Sequence, residues 1–135
     1  MKKLNSLLIL TMLVSLFANC QNKTSMDKVN RVEIRSVNFS LMTVISVKCE
    51  NFEKYFTDYK ETILTDSVQI ATLLSHFNDL ERTDSTYSTS IDTRAKIKLI
   101  TNKDTTLICV GNLSLLKDNV HYKTPDSLIE LIDNY

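Results

Sequence analysis

The chain of 135 residues has one glycine, Gly111, and one proline, Pro125. Loops that cradle phosphate and turns that raise a nucleophile above a sheet both need glycine where backbone approaches ligand or bends sharply, so neither device can be built here. Histidine is scarce too. His76 and His121 are the only two, and neither has a second ligand type at metal spacing; beyond the first 19 residues Met26 and Met42 are the only methionines, which excludes a methionine-rich copper site. No metal and no cofactor is therefore expected. A Cys, His, Asp set can be drawn from Cys109, His121 and Asp118, but a nucleophilic thiol needs exposure and thiolate character, and Cys109 lies in an apolar strand-like run. The sixteen acids are scattered without a pairing that sequence can pick out, so no enzyme is expected. The competing reading is a minor envelope hydrolase, or a metal- or haem-binding protein, using His76 or His121.

Long apolar runs are also missing, with one informative near-exception. Leu7 to Ala18 is apolar apart from Thr11 and Ser15 and follows Lys2 and Lys3. It falls short of the roughly 18 residues that span a bilayer and matches the apolar part of an export leader. The run ends in Phe17, Ala18, Asn19 and Cys20. This stretch resembles the type II signal peptide of bacterial lipoproteins, in which an aliphatic residue, a small residue and then Gly, Ala or Ser precede the cysteine that becomes the lipidated first residue. Ala18 is typical of that pattern; Asn19 is larger than the usual residue. The resemblance implies a small bacterial lipoprotein of unknown function with residues 1–19 removed, Cys20 lipidated, 20–28 serving as a polar tether, and 29–135 forming a single domain. It implies membrane attachment through lipid in the bacterial envelope. The lack of an acidic cluster after Cys20 favours a periplasm-facing domain over a surface-exposed one.

Loss of Lys2 and Lys3 leaves 14 basic against 16 acidic residues, a formal net charge of −2. No basic field remains for nucleic acid, and none is expected as a partner. With Cys20 modified, Cys49 and Cys109 are left as an even pair in an oxidising compartment, each among apolar strand-like residues, and a disulfide is expected between them. The alternative is two separate buried thiols.

Along 29–135 the periodicities predict an α+β domain: an antiparallel sheet of about four to six strands with two helices, 67–81 and 125–133, packed on one face. Residues 29–49 read as two strands, with Ile45, Val47 and Cys49 on a buried side. Phe52/Phe56 and Tyr55/Tyr59 are spaced by four, as on a short helix. Ile70, Leu73, Leu74, Phe77 and Leu80 form a helical stripe behind a cap at Asp66. Residues 94–110 form a hairpin turning at Asn102-Lys103-Asp104, whose return strand is apolar on both faces and thus central; 113–123 form another, turning at Lys117-Asp118-Asn119. Thr124 is the expected cap of the last helix, with Pro125 as its first residue. Tyr55 and Tyr59, with Tyr87 and Tyr122, are a candidate interaction surface for a protein or glycan partner, the alternative being tyrosines that rim the core with the hydroxyl in water; the chain as a whole reads as a non-catalytic binding or accessory module that engages an envelope protein, an inhibitor or immunity-like protein being one form of it. Arg94, Lys96 and Lys98 read as a solvated basic stripe.

Overall fold

The computed structural model describes residues 28–83 and 91–135. Six strands form one antiparallel sheet: β1 (Arg31–Ser36), β2 (Lys60–Leu64), β3 (Thr93–Ile100), β4 (Thr105–Gly111), β5 (Ser114–Lys117) and β6 (Val120–Lys123), in the spatial order β2-β1-β3-β4-β5-β6. The register pairs Val32 with Leu99 and Ile34 with Ile97, so the apolar half of each alternation falls on one face. That face carries the main core, closed by α2 (Ser67–Ser75) through Ile70 and Leu73 and by α3 (Asp126–Asn134) through Leu128 and Ile132. The expected α+β architecture is therefore present. β4 is buried on both faces at Ile108, Cys109 and Val110, as a strand flanked by β3 and β5 should be.

Turn chemistry accounts for the connections. Asp118 and Asn119 both take left-handed backbone angles (φ 52° and 60°), the geometry that matches a two-residue hairpin to strand twist and that Asp and Asn tolerate best. Thr101 Oγ1 accepts from the amides of Lys103 and Asp104, which closes the β3–β4 turn. Gly111 earns its place by close approach: a Cβ there would lie 2.6 Å from the carbonyl oxygen of Asp92.

Three sequence expectations are corrected. The helix predicted over 67–81 ends at Ser75. Asp66 caps it as expected, accepting from the amides of Val68 and Gln69. After Ser75 the amides of Phe77 and Asn78 bond three residues back, a tightening turn, and Ser75, Asn78 and Asp79 favour such turns over helix. Phe77 and Leu80 still reach the core from this turn. The chain then runs beside β6, where Arg82 bridges to Tyr122, Lys123 donates to the Glu81 carbonyl and Thr83 donates to that of His121.

Residues 29–49 give one strand, not two. Both sides of β1 are taken, by β2 and β3, so 41–49 has no open edge beside β1 and crosses the end of the sheet instead. Of the three residues expected to share a buried side, Val47 is buried, Cys49 partly so, and Ile45 is half exposed. Finally, the last helix is capped one residue later than predicted, at Pro125. The Thr124 hydroxyl is engaged elsewhere, donating to the Gly111 carbonyl at 2.8 Å.

Candidate functional site

The second face of the sheet is covered by residues 37–59. This flap contains a single turn of helix, α1 (Phe52–Tyr55), preceded by a 3-10 turn, Cys49–Asn51. A disulfide joins Cys49 to Cys109 on β4, with Cα atoms 5.8 Å apart. Under the flap lies a small second core of Val47, Phe52 and Phe56, against which Val37 and Tyr59 pack. The predicted aromatic pair Phe52/Phe56 meets at 5.2 Å between ring centroids.

Two members of the basic stripe, Arg94 and Lys96, are not solvated, because the flap lies on them. Arg94 is only 2% exposed and makes a bidentate pair with Asp92 at 2.8 and 2.6 Å. It also donates to Thr43 Oγ1 at 3.1 Å and lies over the Phe56 ring. Lys96 Nζ reaches both carboxylate oxygens of Glu53 at 2.9 Å. Arg35 bridges Glu53 and Glu61 and sits over Tyr59 at 5.4 Å from the ring centroid. Partial burial alone would raise the Glu53 carboxyl, but hydrogen bonds from Lys96, its own backbone and Arg35 outweigh it and hold the group below the ordinary carboxylate range. Hydrogen bonds to Glu61 and Glu53 push Arg35 higher still. These charges are spent on one another and on the flap.

The predicted site residues are dispersed. Tyr55 is half exposed, whereas Tyr59 packs into the second core with its ring centroid 5.9 Å from that of Phe52. Tyr122 packs against the main core, and Tyr87 lies outside the described residues, as does Cys20. His76 shares a hydrogen bond with Ser127 at 3.1 Å and so ties α2 to α3. His121 sits on β6 opposite Leu116, on the flap side of the sheet, so the two histidines lie on different faces. Cys109 is bonded to Cys49 and offers no thiol to a set with His121 and Asp118. Beside the disulfide is an open depression of about 410 Å³, rimmed by Glu50, Lys96, Asp104 and Asp118. Among the described residues no three His, Cys, Asp or Glu side chains are grouped to hold a metal, and no helix is long and apolar enough to cross a membrane.

Sequence reasoning missed the most exposed apolar segment among the described residues. Within 39–47, Met42 is 93% exposed and Val44 fully so, with Leu41 and Ile45 about half exposed. The signal was there in the absence of any charge from Phe39 to Val47, but alternation led to a strand. No protein-family model, curated protein or solved structure matches the chain.

Proposed function

We propose that the protein is a lipid-anchored domain of the bacterial envelope, facing the periplasm, which acts by binding another envelope protein and performs no catalysis of its own. Cys20 is the lipidated residue and 20–28 the tether in this reading. The observation that carries it is the Cys49–Cys109 disulfide, since such a bond persists where export has delivered a chain to an oxidising compartment. The leader-like residues 1–19 supply the route. The pairing of Arg94 with Asp92 and of Arg35 and Lys96 with Glu53, and two histidines on different faces, favour binding over hydrolysis or metal and haem chemistry.

The test is the mass of the mature chain purified from membranes of its native host. The expected result is an amino terminus at Cys20 carrying acyl groups, and release of the Cys20→Ser chain from the membrane fraction. An intact Met1 with an unmodified Cys20 refutes the reading. Alkylation of the denatured, unreduced mature protein should leave Cys49 and Cys109 unlabelled.

A further inference from the structure

Most fastenings of the flap are contacts that water can replace, whereas the Cys49–Cys109 bond is covalent. The stretch 48–59 is held at both ends. Before it, the Val47 amide donates to Asp92 at 2.9 Å and the Val47 carbonyl accepts from Thr93 at 2.8 Å; after it, Lys60 enters the β1–β2 ladder opposite Ser36. Between these points little supports itself. Neither the 3-10 turn Cys49–Asn51 nor α1 has a side-chain cap, and a helix of four residues is far too short to be stable alone. Phe52 is fully buried, but the ion pairs of Glu53 with Arg35 and Lys96 are partly open to water, which screens them. The position of this strap therefore depends most on the disulfide.

The bond is also within reach of a reagent. Both cysteines line the open depression of about 410 Å³. Cys109 is 3% exposed, whereas Cys49 is only partly buried, so an incoming thiolate meets Cys49 first. Lys96 stands directly opposite Cys109 in the β3–β4 register and lines the same depression, and a neighbouring ammonium stabilises a thiolate. In the oxidised chain that ammonium is taken by Glu53, which belongs to the strap.

We propose that the Cys49–Cys109 bond is a redox latch, opened in the folded chain by a dithiol that enters the depression. A thiolate of the dithiol attacks Cys49 Sγ, and the bond to Cys109 breaks with its electron pair leaving on Cys109 Sγ beside Lys96. The second thiol then displaces Cys49. Two electrons and two protons have by then passed from the dithiol, which ends as a disulfide, to the two cysteines. During the step Lys96 exchanges Glu53 for the Cys109 thiolate, and 48–56 lifts from the sheet and bares Phe52, while the core under the two helices keeps its packing. The latch is the bond on which the compartment reading rests, but its chemistry needs neither that reading nor the lipid anchor.

The test starts from the full-length Cys20→Ser chain with its 49–109 bond formed in vitro, so that neither anchor nor compartment enters the result; alkylation of the native mature chain reads the compartment separately. The probe is cysteamine, a monothiol whose ammonium suits the rim of Glu50, Asp104 and Asp118. In buffer without denaturant, acid quenching, alkylation and mass mapping should find cysteamine on Cys49 and the alkyl group on Cys109, with a preference of about tenfold or more. After full reduction with dithiothreitol, amides of 48–56 should exchange about tenfold or more faster, while those of β3 and α3 keep their protection. Lys96→Gln and Glu53→Gln both break the bridge, but only the first removes the cation. Cysteamine should react about tenfold more slowly with Lys96→Gln than with Glu53→Gln, and Lys96→Arg should restore the rate. A bond that resists cysteamine until urea unfolds the chain, cysteamine on Cys109, unchanged exchange at 48–56, or protection lost throughout the sheet each overturn the proposal. Equal rates for the two bridge variants overturn the part given to Lys96.

Discussion

The two layers that cover the sheet are built on different principles. The helical side closes over a continuous aliphatic core, with Ile70, Leu73, Leu128 and Ile132 meeting Val32, Ile34, Ile97 and Val110, and its stability scales with area removed from water. The flap side buries only Val47, Phe52 and Phe56, too few to hold 37–59 by burial alone. It is fastened by a disulfide, by Arg94, and by the Glu53 bridge to Arg35 and Lys96. One layer is held by what it excludes, the other by what it pins. Pinning can hold a loop in an exposed conformation that burial would never select, and 39–47 is such a loop.

Breaking the strongest pin should have the largest effect. The disulfide closes a separation of 60 residues, for which chain entropy gives about 4 kcal/mol; a Cys49→Ala, Cys109→Ala chain should lose about that much in urea denaturation, and amides of 47–56 should show the earliest exchange. Next comes the contrast on the helical side. Leu73→Ala removes a fully buried side chain and should cost about 3 kcal/mol, with exchange rising across the whole sheet and not in the flap alone. A flap-confined response to Leu73→Ala would erase the distinction between the layers.

Arg94→Ala separates pinning from packing further. It removes the bond to Thr43, the pair with Asp92 and the contact with Phe56, and should cost about 2 kcal/mol. Amides of 40–46 should lose protection while those of α3 keep theirs. The smallest effect sharpens the comparison by pH. Because the folded Glu53 carboxyl is held below its ordinary range, its contribution is full above the unfolded value of about 4.3 and is lost as pH falls through the lower folded value. Glu53→Gln should lower stability by about 1 kcal/mol at pH 7 and flatten the acid limb of the urea midpoint. An unchanged limb would mean that the flap does not depend on this bridge.

Legibility in the sequence divides along the same line. The helical layer and five of the six strands were readable because one-sided burial imprints a local period: Ile97 and Leu99 alternate with Lys96 and Lys98, Leu128 and Ile132 recur at helical spacing, and Asp118-Asn119 marks its own turn; β2, an edge strand of which only Leu64 is buried, carries no such period and was missed. The flap was not readable either, because its fastenings join residues far apart. Thr43 and Arg94 are 51 positions apart and Glu53 and Lys96 are 43 apart, and no local pattern reports such pairs. Arg94 looked solvated for that reason, and 41–49 looked like a strand because its alternation was read without knowing that both sides of β1 were taken. Phe77 and Leu80 extended the apparent helix since a turn can deliver the same side chains to the same core. Cys49 and Cys109 were paired from their even number and from their placement among apolar strand residues, and the disulfide joins them.

The two margins of the sheet are unequal. Along β6 the stretch from Glu81 to Thr83 adds a bridge and two backbone bonds, leaving only a short, ragged border, whereas β2, the last strand on the other side, has no further strand beside it among the described residues. Among the described residues β2 is the more open of the two borders, so two chains adding strand to strand should meet β2 to β2, an encounter that closes on a pair.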